Sequence, residues 1–264
     1  PWTLAPGQGY FVIRGQASLA AFRVPEGPWR GFAIAAAHSD SPTFKVREEA
    51  EVSGAGKTMR LSVEPYGGGI YRSWLDRPLS VAGRVLVRTA AGVEPRLVNV
   101  DRDLLVIPSV AIHMDRAVNK GTALDPAVDL LPLLGMEDKG AFRRLIAAAA
   151  GVEEADLVTT DLFLYPRMRG TCVGAAGELL CAPRLDDLQC VYGCLQGFLA
   201  AGTGESMPVL CVFHNEEVGS GTWQGADSTF LTDILSRAAA ALGRTGEAYQ
   251  TSVAESFLVS ADNA

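Results

Sequence analysis

Two kinds of hydrophobic pattern alternate along this chain of 264 residues. Uninterrupted apolar runs at residues 32–37 and 209–213 predict strands that are buried on both faces. Residues 188–201 and 228–242 place their apolar side chains on one helical face, and both stretches predict helices. A further strand is expected at residues 9–14. Strands that alternate with helices favour an α/β domain with a mainly parallel sheet.

Hydrophobic patterns also predict one short helix and two further strands in the parts of the chain that flank these runs. A short helix is expected at residues 17–22, close to the start of the chain. Apolar runs that lead to polar residues predict two more strands, at residues 178–182 and 256–260.

The middle of the chain has a different pattern. Residues 60–64, 79–88 and 95–100 alternate between apolar and polar side chains, which is typical of antiparallel strands. A turn near residue 91 predicts a hairpin between the last two. A helix is predicted at 137–150, and a strand at 157–165. We therefore expect residues 1–42 and 171–264 to form one discontinuous α/β domain, with residues 43–170 as an inserted β-rich domain.

Side chains that can bind metals follow the apolar runs at four places. These side chains are His38 with Asp40, Asp186, Glu216 with Glu217, and Asp262. Because the carboxyl ends of parallel strands lie at one edge of a sheet, we expect the four groups to meet there. Several carboxylates in a small volume repel one another unless cations neutralise them. The pattern predicts a divalent metal site at this edge.

The ligand types narrow the choice of metal. Imidazole and carboxylate together suit zinc, and they also accept cobalt or manganese. The number of acids favours two ions, with a spare glutamate as the general base. His38 and Asp40 point to the same side of an extended backbone, so Asp40 can hold one imidazole nitrogen while the other faces a metal.

Each of these motifs also has a purely structural interpretation. Glu216 and Glu217 could form an ordinary polar strand end, and His38 could be a hydrogen-bonded core histidine. Asp187 could cap the helix that follows it, which would leave Asp186 available for another role.

Composition excludes several classes of protein. The net charge of −7 argues against a nucleic-acid or anionic-membrane surface. No apolar run approaches the roughly 20 residues that span a bilayer, and no export leader is visible, so we expect a cytoplasmic protein. The five cysteines are an odd number, which predicts reduced thiols rather than a disulfide framework.

The order and spacing of five motifs closely resemble the M18 metallopeptidases, the aspartyl aminopeptidases. The motifs lie at residues 38–42, 107–113, 183–186, 215–220 and 260–262. The resemblance implies a metallopeptidase-type α/β/α sandwich with an inserted antiparallel β dimerisation domain. It also implies a di-zinc aminopeptidase that removes N-terminal aspartate or glutamate from peptides. The partners it implies are further copies of the chain, assembled from dimers and up to a dodecamer.

The resemblance also assigns roles to individual residues. It implies that His38 binds one metal and that Asp186 bridges both. Glu217 and Asp262 would each complete a coordination shell, and Glu216 would be the general base.

Two further roles follow from the same resemblance. Asp40 would orient His38. His113 would reach the active site of a neighbouring subunit and contact the substrate there.

The chain departs from the family pattern at two places. His214 stands where the family usually has an acidic residue, and no histidine follows it to supply the family's last metal ligand. We therefore expect these residues to be a fragment of a longer chain. A catalytically inactive assembly subunit is the alternative, and a related metal-dependent deacylase is a third hypothesis.

Overall fold

The computed structural model describes residues 2–136 and 138–263. Contacts within the chain divide it into two compact units, Pro1–Ser41 with Arg184–Ala264 and Pro42–Pro183. The divisions fall after residues 41 and 183, whereas the sequence predicts them after residues 42 and 170. Among the described residues, no helix has the length and apolar character needed to cross a membrane.

The elements are numbered in chain order over the described residues. The strands are β1 (Gly9–Arg14), β2 (Ser18–Arg23), β3 (Gly31–His38), β4 (Thr43–Ser53), β5 (Met59–Tyr66), β6 (Leu79–Thr89), β7 (Gly92–Asn99), β8 (Leu133–Gly135), β9 (Leu157–Pro166), β10 (Thr171–Val173), β11 (Leu179–Cys181), β12 (Ser206–Phe213) and β13 (Phe257–Ser260). The α-helices are α1 (Ala141–Ala150), α2 (Leu185–Ala200), α3 (Phe230–Ala241) and α4 (Glu247–Ala254).

The first unit contains a five-stranded sheet in the order β1-β2-β12-β3-β13. β3 runs parallel to both of its neighbours, β12 and β13. β2 is antiparallel to β12 and to β1. The α/β class is confirmed, but the expectation of a mainly parallel sheet is wrong, because the β1-β2 hairpin makes the sheet mixed.

The short helix predicted at residues 17–22 is also wrong, because this segment forms β2. Ala20 and Phe22 are almost fully buried. Backbone pairing with strands on both sides outweighs the helical preference of a short alanine-containing run. The local helix propensity therefore predicts the wrong secondary structure for this segment, because its pairing within the sheet outweighs that propensity.

Both faces of this sheet are covered by helices. Val209, Cys211 and Phe213 of β12 pack in one cluster together with side chains of α3. Leu210 and Val212 point the other way, and half-buried side chains of α2 pack against them. The apolar run at residues 209–213 is therefore a strand buried on both faces, as predicted, and the unit has three layers.

The second unit is built on an antiparallel six-stranded sheet in the order β7-β6-β9-β4-β5-β8. The predicted hairpin is confirmed, since β6 and β7 pair up to Thr89 and Gly92. Phe142 and Ile146 of α1 join the core of this unit. The helix predicted from residue 137 begins at Ala141, and Glu137 itself lies outside the described residues.

β10 and β11 form a separate two-stranded hairpin whose residues are exposed. The apolar run at residues 178–182 predicts that β11 is one of the strands that deliver a carboxylate to the edge of the main sheet. That expectation is wrong, since β11 pairs with β10 and belongs to the second unit.

Candidate metal centre

The candidate site is organised around His38, the last residue of β3. Its side chain is only 5% exposed. β12 pairs Phe213 with His38, and β13 pairs Ser260 with Ala36 two residues earlier. Parallel pairing therefore brings the segments that follow β12 and β13 to the same sheet edge as His38.

Three carboxylates face the same imidazole nitrogen. Nε2 of His38 lies 3.4 Å from Oδ1 of Asp186 and 3.5 Å from Oδ1 of Asp262. Oε2 of Glu216 lies 3.9 Å from it. Glu217 joins this group, because ligand atoms of His38, Asp186 and Glu217 all lie within 4.8 Å of one another. The structure therefore brings together the four residues to which the family resemblance assigns metal binding, and their roles as ligands stay predictions.

Asp186 reaches the site from the first turn of α2 rather than from a sheet strand. Asp186 and Asp187, which are joined by a cis peptide bond, have non-helical backbone angles, and the regular helix starts at Leu188 as predicted. The Ser41 hydroxyl donates a hydrogen bond of 2.7 Å to the Asp186 carbonyl oxygen. The side-chain amide of Asn263 donates one of 2.8 Å to the carbonyl oxygen of Leu185. These two bonds tie the start of α2 to the segments after β3 and β13.

Asp40 lies beside the other nitrogen of the imidazole. Nδ1 of His38 donates to the Asp40 backbone carbonyl at 3.0 Å, and Oδ1 of Asp40 is 3.4 Å away. A carbonyl oxygen only accepts hydrogen bonds, so the Nδ1 proton is held there. In the neutral ring, Nε2 then carries the lone pair, which can bind a cation placed among the carboxylates. The two Asp40 carboxylate oxygens also accept the backbone N–H groups of Glu216 and Glu217, each at 3.2 Å. Asp40 thus contacts both His38 and the Glu216–Glu217 loop.

Asp187 is a member of the site that the sequence did not single out. Helix capping is the wrong interpretation, since among the described residues Oδ1 of Asp187 has no hydrogen-bond partner and Oδ2 bonds to β3. Oδ2 of Asp187 instead accepts the backbone N–H of His38 at 3.1 Å. The adjacent pair of aspartates was the available signal, because one carboxylate is enough for a cap.

The crowding of acidic side chains raises the pKa values of His38 and Glu217. Burial lowers the pKa of His38, but the carboxylates of Asp40, Asp187 and other acids outweigh it and raise the pKa overall. Burial, followed by the charges of Asp186 and Asp40, raises the pKa of Glu217 to about 7. Without cations the cluster therefore retains protons that isolated carboxyl groups would release.

The pKa of Asp186 moves in the same direction. Burial is the largest cause of its rise, and the neighbouring charge of Asp262 adds to it. The imidazole of His38 opposes the rise without cancelling it.

The residues present fit a bound divalent cation. Oδ1 of Asp186 and Oδ1 of Asp187 are buried and have no hydrogen-bond partner among the described residues. Buried carboxylate oxygens are normally paired, and a cation placed between these two would pair both of them. One imidazole with several carboxylates is a donor set that suits zinc.

Comparison with known proteins decides the family. A family model described as aminopeptidase I zinc metalloprotease (M18) matches residues 1–264. The chain belongs to the M18 family of metallopeptidases. This confirms the resemblance drawn from the five motifs.

Two M18 relatives illustrate the match. A protein of Clostridium acetobutylicum named probable M18 family aminopeptidase 2 is 40% identical over 272 residues, which cover 100% of this chain and 63% of the relative. The aspartyl aminopeptidase of Caenorhabditis elegans is 34% identical over 295 residues, which cover 100% of this chain and 62% of the relative. The chain thus spans less than two thirds of the length of these relatives.

Solved M18 structures share the fold. The structure described as the Ape4 and Nbr1 complex superposes with a TM-score of 0.91 at 33% identity, over 98% of this chain and 55% of that one. The mApe1 dodecamer of S. cerevisiae superposes with a TM-score of 0.81 at 27% identity, over 97% of this chain and 60% of that one.

The remaining two histidines are His113 and His214. His113 lies in an exposed loop of the second unit, and its contact with substrate stays a prediction. His214 directly follows β12, and its backbone N–H donates to the carbonyl oxygen of Gln224 at 3.2 Å.

Proposed function

We propose that this protein is a metal-dependent aminopeptidase that removes acidic residues, aspartate or glutamate, from the N-termini of peptides. The observation that carries the proposal is the convergence of Asp186, Glu216 and Asp262 within 4 Å of one buried imidazole nitrogen. The preference for acidic residues is supported by the aspartyl aminopeptidase of C. elegans, which aligns along the whole chain.

Two divalent ions, zinc or alternatively cobalt or manganese, would occupy the site. His38 would hold one ion and Asp186 would bridge the pair, with Glu217 and Asp262 completing the two coordination shells. When bound, such ions polarise the scissile carbonyl and make a water molecule more acidic. The raised pKa of Glu217, about 7, supports this arrangement, because a bound cation would replace the proton that burial and the neighbouring acids make this carboxyl hold.

Glu216 is the general base of this proposal. Its side chain is 46% exposed, in contrast to the 5% of His38, so it can reach both water and substrate. Glu216 removes a proton from water as the water oxygen attacks the carbonyl carbon. It returns the proton to the leaving amine as the C–N bond breaks. Asp40 holds the backbone of Glu216 by a hydrogen bond of 3.2 Å, which fixes the direction from which the base approaches.

Recognition of a free N-terminus follows from the metals of the proposed site. A free α-amino group would be held by one of the two ions, whereas an acylated amine has no available lone pair for this contact. The site therefore favours cleavage after the first residue of a peptide.

The second unit has a separate role in the proposal. It would be the dimerisation domain of a homo-oligomer, with His113 contacting substrate in a neighbouring subunit. The solved mApe1 of S. cerevisiae is described as a dodecamer, which supports an assembly of this kind.

Glu216→Gln tests the function. We expect turnover of a peptide with N-terminal aspartate to fall by about 10²- to 10⁴-fold while zinc content per chain stays unchanged. Glu205→Gln is the matched control, since the Glu205 side chain is 78% exposed and pairs with the exposed Arg30.

Three results would contradict the proposal. Near-normal turnover by Glu216→Gln would mean that another group is the base. Equal cleavage of free and N-acetylated peptides would favour the deacylase. A protein that binds zinc but hydrolyses neither peptide would favour the assembly subunit.

A further inference from the structure

Asp187 occupies an unusual position for a carboxylate. The residue is 0% exposed, and it directly follows the candidate bridging residue Asp186 in the first turn of α2. Its Oδ2 accepts the backbone N–H of His38 at 3.1 Å, while Oδ1 has no hydrogen-bond partner among the described residues. A wholly buried acceptor does not exchange its partner with water, so this contact fixes the start of α2 against the end of β3.

The contact replaces a hydrogen bond that the sheet does not supply. β13 pairs with β3 as far as Ala36, whose carbonyl oxygen accepts the N–H of Ala261. Backbone groups of alternate residues point to the same side of a strand, so the N–H of His38 is the next donor on that side. It is donated to Asp187 because β13 has ended at Ser260.

Two candidate ligands are thereby joined through one side chain. Asp186 and Asp187 are neighbours in sequence, so the position of the Asp187 carboxylate is tied to the backbone of Asp186. Its hydrogen bond ties it equally to the backbone of His38. The 3.4 Å separation between Nε2 of His38 and Oδ1 of Asp186 therefore depends on Asp187.

We infer that Asp187 is a positioning residue. By accepting the backbone N–H of His38, it holds His38 at a fixed position relative to Asp186. The inference rests on the proposed metal site and adds a residue that acts on it without touching substrate. Loss of an outer partner of a metal ligand typically lowers metal affinity by about 10- to 100-fold. A loss in that range is expected when the acceptor is removed.

The test compares Asp187→Ala with Asp187→Asn in the intact protein. Alanine removes the acceptor, whereas asparagine has the same shape and keeps an oxygen that can accept the N–H. Zinc affinity is measured by competition with a chelator, and the melting temperature of the metal-free protein is measured alongside. We expect zinc affinity to fall by about 10- to 100-fold in Asp187→Ala and by less than about threefold in Asp187→Asn.

Glu51→Ala is the matched control. Glu51 also accepts two backbone N–H groups, those of Gly140 and Phe142, but it does so within the second unit. Its loss should lower the melting temperature and leave zinc affinity unchanged. That result would show that a general loss of stability does not by itself weaken zinc binding.

Several outcomes would overturn the inference. Unchanged zinc affinity in Asp187→Ala would do so, and so would equal losses in both variants, because Asp187 would then act through its charge or as a direct ligand. If Asp187→Ala does not fold, the Asp187→Asn variant still tests the inference. A decrease of more than about tenfold in its zinc affinity would contradict a positioning role, because asparagine keeps the acceptor oxygen. An unmodified protein that binds no zinc would overturn the proposed function as well.

Discussion

Oδ1 of Asp262 lies 3.5 Å from Nε2 of His38, although the two residues are near opposite ends of the chain. The register of the sheet explains the contact. β13 runs parallel to β3 with Ser260 opposite Ala36, so Asp262 comes level with His38 just beyond the paired residues. The metal centre therefore depends on the correct pairing of these two strands.

Asp262→Ala is predicted to weaken zinc binding by at least about tenfold. The reason is that one carboxylate of the group facing His38 is lost while the sheet pairing up to Ser260 remains. Zinc titration with a competing chelator measures the change. Glu205→Ala, which removes an equal charge from an exposed position, should bind zinc normally. Equal affinity of the two variants would remove Asp262 from the site.

Asp40→Ala is predicted to lower both stability and turnover. The side chain is 3% exposed and accepts the backbone N–H groups of Glu216 and Glu217. A hydrogen bond to a charged group is worth about 1.5–3 kcal/mol, and these two donors are only partly buried, so we expect a loss near the lower figure in the free energy of unfolding. Urea denaturation of the metal-free protein measures it. Asp40→Asn keeps an acceptor and should lose less, and a larger loss for asparagine would contradict the explanation.

The stability of the metal-free protein is predicted to fall as the pH rises towards 7. Burial, with Asp186 and Asp40 nearby, raises the pKa of Glu217 from an ordinary value of 4.5 to about 7. The folded protein therefore binds this proton more tightly than the unfolded chain, so the stabilisation is full below pH 4.5 and is lost as the pH rises through about 7. The raised pKa values of His38 and Asp186 act in the same direction.

The measurement is the melting temperature of chelator-treated protein between about pH 5 and pH 8. Glu217→Gln should show a shallower decline than the unmodified protein, because the substituted side chain does not titrate. Zinc should remove most of the decline by replacing the proton. Identical pH profiles for the two proteins would contradict the prediction.

Glu51→Gln is predicted to destabilise the second unit by about 1 kcal/mol, because glutamine keeps one acceptor oxygen but places an NH2 group against the second backbone N–H. Oε2 and Oε1 of Glu51 accept the N–H groups of Gly140 and Phe142, at 2.5 Å and 2.6 Å, at the start of α1. Chemical denaturation measures the free energy of unfolding. The control is Glu49→Gln, a substitution at a nearby exposed residue, which should leave this free energy unchanged. A variant as stable as the control would show that α1 does not depend on this cap.

Much of the candidate site could be predicted because its residues follow strands with an unambiguous apolar pattern. Residues 209–213 are apolar without interruption, and the strand they form does end next to Glu216 and Glu217. The same pattern predicts that Asp262 and His38 lie at one edge of the sheet. The parallel pairing of β3 with both β12 and β13 brings them there.

Other features depend on contacts between distant residues, which a local pattern does not show. β2 was predicted as a helix because its alanines suit either structure, and its pairing partner β12 is more than 180 residues away. Asp187 resembled a cap because its true partner, the N–H of His38, is distant in sequence. β11 resembled a strand of the main sheet because three apolar residues do not indicate which strand they pair with, and the pairing with β10 is seen only in the structure.

Diffraction from zinc-soaked crystals at the zinc absorption edge shows whether these side chains bind metal, because the anomalous signal locates each ion. We expect zinc at about 2.0–2.2 Å from Nε2 of His38 and from carboxylate oxygens of Asp186 and Asp262. Zinc bound only elsewhere on the protein, with these side chains free of metal, would contradict it.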